Sequence, residues 1–99
     1  MAGRAGMSEP AITHDAEKRR YSLVVDGVEA YLTYERPAAG RMHITHTIVP
    51  DSVGRRGLGR KLVKRAVGDA IAAGDKVSSE CWFASALMDK NAEWAPHLA

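Results

Sequence analysis

A loop rich in glycine and arginine, residues 50–61, has the residue types and spacing in this sequence that most clearly indicate chemistry. It holds three glycines, follows an apolar, β-branched stretch at 44–49, and runs into a helical pattern. Glycine has no Cβ, so backbone N–H groups there can approach a ligand closely. A helix that begins at once adds unpaired N–H groups and the positive end of its dipole. This segment, here called the glycine loop, is therefore predicted to hold a phosphate or a diphosphate.

The sequences of two widespread phosphate-binding loops do not match the glycine loop. A P-loop places Lys and then Ser or Thr after its last glycine, so that a hydroxyl group can hold magnesium. Gly54 and Gly59 have the P-loop spacing, but Arg60 and Lys61 follow them. The dinucleotide-binding fingerprint needs a third glycine at the position that Leu62 occupies. Both alternatives are therefore disfavoured.

A third pattern fits better, because the loop reads Pro, a few residues, and then Arg-Gly-x-Gly running into a helix. This order resembles the acetyl-coenzyme A loop of the GNAT-type N-acetyltransferases. The flanking Thr-His-Thr at 45–47 and the single Cys81 resemble a branch of small, single-domain GNAT-like proteins. The resemblance covers about residues 20–98. It implies a domain that binds acetyl-coenzyme A and transfers the acetyl group to an amine.

The chain departs from that branch at three places. Gly54 stands where Gln or Arg is usual, which removes one side-chain contact but leaves the backbone cradle. Ile48 stands where the branch usually has Glu, and residues 91–94 read Asn-Ala-Glu-Trp where His-Pro-Glu-Tyr is usual. These differences bear on the chemistry rather than the fold, and they keep a non-catalytic acyl-coenzyme A binding module open as an alternative.

The resemblance also implies which residues contact the cofactor. The diphosphate would lie on the amide groups of the glycine loop, and the pantetheine arm would bond to the backbone of the preceding strand. Lys64 and Arg65 lie one turn further along the helix and are assigned to solvent. The predicted cofactor-binding residues are Ile48, Val49, Gly54, Arg55, Arg56, Gly57, Leu58, Gly59, Arg60 and Lys61.

Two residues are candidates for catalysis. Cys81 would act as a nucleophile, as a proton donor to the departing thiolate, or only as a buried apolar side chain. His46 alternates onto the face of Ile44 and Ile48, and it is either a structural residue or the base that deprotonates the amine. Trp82, Phe83 and Trp94 are expected in the core. No set of His, Cys, Asp and Glu has the spacing of a metal site.

The elements that must position these residues follow from periodicity. Alternation predicts strands at 21–25, 28–34 and 42–49, with a hairpin turn at Asp26-Gly27. Apolar residues at helical spacing predict a helix over 58–73, followed by a strand at 76–81 and a short helix at 83–90. The expected fold is α+β: a minimal GNAT-like arrangement in which a three-stranded antiparallel meander precedes β-α-β-α. The glycine loop joins the third strand to the first helix.

Length and composition limit the remaining possibilities. Ninety-nine residues make one small domain, predicted at 19–99 after a flexible leader at 1–18. One cysteine excludes an internal disulfide, and no apolar run approaches the length of a membrane span, so a cytoplasmic protein is expected. A net charge of +2 gives little support to a nucleic-acid binder, the third function considered. The expected partners are acetyl-coenzyme A and an amine, such as a protein lysine or a polyamine.

Overall fold

In the part of the chain that the structure describes, the fold is a five-stranded mixed sheet with two α-helices, which confirms the α+β prediction. A computed structural model describes residues 11–54 and 56–99 of the chain. The strands lie in the order of the sequence, the first four antiparallel and the fifth parallel to the fourth. The elements are β1 (Thr13–Asp15), β2 (Arg20–Val25), β3 (Val28–Glu35), β4 (Arg41–Ile48), α1 (Leu58–Ala72), β5 (Lys76–Ser79) and α2 (Trp82–Lys90), with 3-10 turns at Asp51–Val53 and Ala92–His97.

The hairpin between β2 and β3 has the tight turn that its sequence indicates. Asp26 and Gly27 both have positive φ, 54° and 76°, and this backbone twist suits two antiparallel strands joined by two residues. The short β1 was not expected from the sequence, because residues 13–15 carry no alternating pattern. Its register is set by tertiary contacts: the His14 ring stacks on Tyr21 at 4.0 Å, and its Nε2 lies 2.7 Å from the Tyr34 hydroxyl.

The core lies between one face of the sheet and α1. The apolar stripe of α1, which includes Leu62, Val63 and Val67, is fully buried against sheet residues such as Leu32 and Ile44. One polar link crosses this layer, because the Tyr21 hydroxyl donates to Asp69 Oδ2 at 2.8 Å. Burial and this hydrogen bond to a carboxylate raise the pKa of Tyr21.

A bulge in β4 overturns the expectation that His46 and Ile48 share the face of Ile44. Thr33 of β3 pairs with His46, while the next residue, Tyr34, pairs with Ile44. Thr45 is therefore an extra residue in β4, and the alternation restarts after it. His46 and Ile48 point away from α1 and are exposed, and Ile48 is 41% exposed. Thr47, opposite the buried Leu32, takes the inner face instead.

The C-terminal part of the chain returns to the sheet. β5 ends at Ser79, two residues before the expected end, because Cys81 serves as the N-cap of α2. Leu98 pairs with Val77, and the Ala99 amide donates to the Val77 carbonyl at 2.7 Å. The last residues thus pair with the outer edge of β5.

Candidate functional site

A cavity of about 340 Å³ opens at the point where β4 and β5 separate. The Glu80 amide donates to the Ile44 carbonyl at 2.9 Å, and the two segments of the chain diverge beyond this bond. One continues as the second half of β4 into the glycine loop, and the other turns into α2. The cavity is lined by residues from both paths: Thr47, Val49, Gly54, Gly57, Leu58, Gly59, Arg60, Cys81, Trp82 and Phe83.

The glycine loop has the backbone geometry of an anion cradle at this cavity. Gly57 is the N-cap of α1 with φ +73°, a left-handed conformation that a side chain strains. No side chain caps α1 within the described residues, and the first amides of a helix have no intrahelical acceptors. Leu58, Gly59 and Arg60 line the cavity, so the first turn of α1, with these N–H groups and the positive end of the helix dipole, lies at the cavity wall.

Gly59 is required for a different reason. A Cβ at this position would lie 2.9 Å from Cε2 and 3.0 Å from Cζ of Phe83. The ring of Phe83 at the start of α2 thus fills the space that a side chain would need. Both residues line the cavity, so the missing side chain lets α1 and α2 approach closely at the cavity wall. A bulky residue at 59 would widen this wall or displace the ring.

The structure brings six of the predicted cofactor residues to the cavity, and places three elsewhere. Val49, Gly54, Gly57, Leu58, Gly59 and Arg60 line it, whereas Ile48, Arg56 and Lys61 do not. Ile48 lies on the outer face because of the bulge. Arg56 Nη2 lies 2.8 Å from Asp26 Oδ2, so its guanidinium is paired with the β2–β3 turn. Arg55 lies outside the described residues.

Cys81 lines the cavity and is half-buried at the start of α2. Its Sγ lies 3.7 Å from Thr47 Oγ1 on the opposite wall, across the gap between the strands. The Ser79 hydroxyl holds the backbone here, accepting from the Cys81 amide at 2.9 Å and donating to its carbonyl at 3.0 Å. The Cys81 backbone therefore has a fixed place in the cavity wall, at the point where β4 and β5 separate.

The other predicted catalytic residue, His46, is not brought to the cavity. It is exposed on the outer face of the sheet, beside Thr33. A different histidine has the more elaborate environment on that face: His43 Nδ1 lies 2.7 Å from Ser78 Oγ, and its Nε2 lies 3.0 Å from Glu80 Oε1. The sequence holds no signal for this array, because it depends on the parallel register that places His43 opposite Ser78.

Three lining residues were missed in the sequence. Thr47 was not singled out because uninterrupted alternation would have put it on the outer face. Phe83 was expected in the core, and it is partly buried but also forms cavity wall. Trp82 was expected in the core as well, yet its side chain is 81% exposed at the rim of the cavity. It contacts Phe83 edge-on, with ring centroids 6.4 Å apart.

Two other features are absent from the described part of the chain, a metal site and a helix that could span a membrane. Residues 11–54 and 56–99 contain no group of three or more His, Cys, Asp or Glu side chains placed to hold a metal ion. None of the helices in those ranges combines the length and the apolar character needed to cross a membrane.

The family model of the GCN5-related N-acetyl-transferases matches residues 20–97. This range runs from β2 through the whole cavity to the C-terminal turn, so it includes both the fold and the site. The chain therefore belongs to the GCN5-related N-acetyltransferase family.

Individual relatives agree with this assignment at low identity. The chain is 28% identical over 82 residues to Protein NATD1 of Xenopus tropicalis. The aligned range covers 81% of this chain and 75% of that protein. Protein NATD1 of Homo sapiens is 27% identical over 82 residues, covering 81% and 73%. The NMR solution structure of a GCN5-like protein from Staphylococcus aureus, assigned as an N-acetyltransferase, superposes with a TM-score of 0.74 at 26% identity. It covers 94% of this chain and 91% of that one.

Proposed function

We propose that this protein binds acetyl-coenzyme A in the cavity between β4 and β5 and transfers the acetyl group to an amine. The observation that carries the proposal is that one cavity joins two chemical features. Its lining includes the uncapped N-terminus of α1, with Gly57 and Gly59 in the two backbone settings that a side chain would disturb. The same lining includes Cys81. An acyl thioester attached to a diphosphate offers a partner to each of these features.

The residues present fit that ligand along its length. The amides of Leu58 to Arg60 and the Arg60 guanidinium complement a diphosphate in charge and hydrogen bonding. Beyond the bulge, Thr47 and Val49 line the cavity, and β4 has no β5 partner there. An extended pantetheine arm contains amide groups, so it would bond to this open strand edge as a further strand does.

The proposed reaction exchanges a thioester bond for an amide bond. The amine nitrogen attacks the thioester carbonyl, the carbon–sulfur bond breaks, and the amine loses a proton while the departing thiolate gains one. Backbone N–H groups near the gap stabilise the negative charge on the carbonyl oxygen. Cys81 either protonates the thiolate or first takes the acetyl group on its own sulfur, forming a second thioester that the amine then attacks.

The binding half of the proposal is tested by NMR titration with coenzyme A. We expect the amide resonances of residues 56–60 and 81–83 to move, while those of the 36–40 turn stay in place. The 36–40 turn is the appropriate control because it lies outside the cavity lining, whereas the β2–β3 turn is joined to the glycine loop by Asp26 and Arg56. Resonances that stay unchanged at millimolar coenzyme A would contradict the proposed function.

A second function, a non-catalytic acyl-coenzyme A binding module, has its own support. Among the described residues that line the cavity, only Cys81 has a side chain that exchanges a proton readily, since the Arg60 guanidinium stays protonated, and His46 lies on the other face. The two functions differ in turnover. Release of free coenzyme A thiol that depends on an added amine, measured with a panel of polyamines and lysine peptides, supports catalysis. Binding without any such release supports the module.

A further inference from the structure

The outer face of the sheet carries a hydrogen-bonded array of three side chains from two neighbouring strands. His43 of β4 lies opposite Ser78 of β5 in the parallel register. His43 Nδ1 lies 2.7 Å from Ser78 Oγ, and His43 Nε2 lies 3.0 Å from Glu80 Oε1. The cavity between β4 and β5 is lined by other residues, so the proposed acetyl transfer does not use this array.

The two partners of His43 determine which ring nitrogen holds the proton. A carboxylate only accepts hydrogen bonds, so Nε2 of the neutral imidazole donates to Glu80. Nδ1 is then unprotonated, and the Ser78 hydroxyl donates to it. A serine hydroxyl that donates to an imidazole, with a carboxylate behind the imidazole, is the arrangement that activates the serine oxygen for attack on a carbonyl carbon.

The array is accessible from solvent. The side chain of His43 is 29% exposed and that of Glu80 is 60% exposed, and Ser78 is half-buried. The buried residues of α1 and α2 belong to one core on the opposite face of the sheet. Within the described ranges, neither helix therefore covers the array, and a small ester can approach Ser78 Oγ.

Two cations lie beside the array on the same face. Arg41 lies two residues before His43, Lys76 lies two residues before Ser78, and Arg41 and Lys76 are register partners. Side chains two residues apart on a strand point to the same side. Both cations are exposed, and the Lys76 ammonium donates to the Pro96 carbonyl oxygen at 2.7 Å. Positive charges at this place attract an anionic substrate and stabilise negative charge that develops on a carbonyl oxygen.

We propose that Ser78, His43 and Glu80 form a second catalytic centre, which hydrolyses small carboxylic esters that carry a negative charge. Ser78 and His43 are its catalytic residues, and Glu80 is a positioning residue that fixes the imidazole tautomer. This centre acts independently of the acetyl transfer proposed for the cavity, because its residues lie on the other face of the sheet.

The reaction has two steps. Ser78 Oγ first forms a bond to the ester carbonyl carbon while its proton passes to His43 Nδ1. The carbon–oxygen bond to the alcohol then breaks, and the alcohol leaves with that proton. In the second step water attacks the acyl-serine and gives a proton to His43, and the carboxylic acid leaves as Ser78 Oγ takes the proton back.

An alkyl fluorophosphonate tests the nucleophile directly, because an activated serine oxygen forms a stable bond to its phosphorus and fluoride leaves. Peptide mass spectrometry of the treated full chain should find one adduct, on Ser78. The labelling rate should fall by at least about 100-fold in His43→Gln, which loses the base. His46→Gln is the matched control, because His46 is exposed on the same face, and it should keep the rate. Absence of an adduct on Ser78, or an equal loss in both histidine variants, would overturn the proposal.

The role of Glu80 is tested by the tautomer of His43. In ¹⁵N NMR spectra the neutral imidazole should hold its proton on Nε2, and Glu80→Ala should mix the two tautomers and slow the labelling of Ser78 by about fivefold. Glu80→Gln keeps an oxygen that accepts from Nε2, so it should restore part of the rate. A tautomer and a labelling rate that Glu80→Ala leaves unchanged would overturn the positioning role.

The substrate class is tested with 4-acetoxybenzenesulfonate, which is anionic, and 4-acetoxybenzenesulfonamide, which is neutral. Each rate is the difference between the unmodified protein and Ser78→Ala, divided by the rate of the same ester in buffer, so reaction at Cys81 is subtracted. We expect the anionic ester to be favoured about fivefold, and this preference to fall to less than about twofold in Arg41→Gln. Lys90→Gln loses the same charge at the end of α2 and should keep the preference. Equal rates for the two esters would overturn the choice of anionic esters, and equal hydrolysis by the unmodified protein and Ser78→Ala would overturn the catalytic centre.

Discussion

Gly57 and Gly68 allow one chemical change, the addition of a methyl group, to be compared at two positions of the same helix region. An added Cβ would meet no heavy atom within 4 Å at either position. The positions differ in their backbone: Gly57 is the N-cap of α1 with φ +73°, whereas Gly68 lies within the regular helix. Any difference between the two alanine variants therefore reports backbone conformation and not packing.

The expected effects have opposite signs. Gly57→Ala forces an L-residue into the left-handed region and should lower the free energy of unfolding by about 1–2 kcal/mol. Gly68→Ala removes conformational freedom from the unfolded chain inside a helix and should raise it by about 0.5–1 kcal/mol. The two variants should thus differ by about 1.5–3 kcal/mol, which is roughly 6–24 °C in Tm for a domain of this size.

Urea denaturation followed by circular dichroism gives the unfolding free energies, and titration with coenzyme A gives the functional effect. We expect Gly68→Ala to bind coenzyme A with unchanged affinity and Gly57→Ala to bind it at least about tenfold more weakly, because the strained N-cap turns the first amides of α1 away from a diphosphate. If both variants shift stability in the same direction, or if Gly57→Ala binds normally, then the left-handed N-cap does not form the cradle.

Three further predictions concern single side chains. Saturating coenzyme A should slow the alkylation of Cys81, the only thiol in the chain, by at least about fivefold, and an unchanged rate would place this thiol outside the ligand's reach. Arg60→Ala should weaken coenzyme A binding by about 1.5–3 kcal/mol, and Arg56→Ala by less than about 1 kcal/mol, since its guanidinium is already paired; the reverse order would assign the diphosphate to Arg56. Burial and the Asp69 hydrogen bond raise the pKa of Tyr21, so the folded state keeps a proton that the unfolded chain loses near pH 10. Stability should therefore fall as pH rises above about 10, and this fall should be shallower in Tyr21→Phe.

The sequence predicts the parts of the fold that depend on local periodicity. The predicted helix over 58–73 matches α1 (Leu58–Ala72) to within one residue, because its buried residues recur at helical spacing on one side. The turn at Asp26-Gly27 is equally local, since two residues with positive φ suffice to define it. The position of the glycine loop is also predicted, because closely spaced glycines directly before a helical pattern are a local signal.

The parts that the sequence does not predict depend on contacts between distant residues. Pairing with β2 creates β1, and a single extra residue opposite Thr33 reverses the sides of β4. The neighbourhood of His43, Ser78 and Glu80 depends on the parallel register of β4 and β5. A cavity of about 490 Å³ between α1, the end of α2 and the C-terminal turn requires that turn to return beside α1. Periodicity carries no information about any of these distances.

The bulge in β4 gives this strand a change of parity. Up to Thr45 the even-numbered residues, Met42 and Ile44, are buried in the core, and after it the odd-numbered residues, Thr47 and Val49, line the cavity. One continuous strand thus serves the hydrophobic core with its first half and the ligand cavity with its second. Tolerance to polar substitution along β4 should follow the same break. Removal of Thr45 alone would make the alternation regular, with Ile44 still inward and His46 and Ile48 still outward, and would leave the pairing of β4 with β3 continuous.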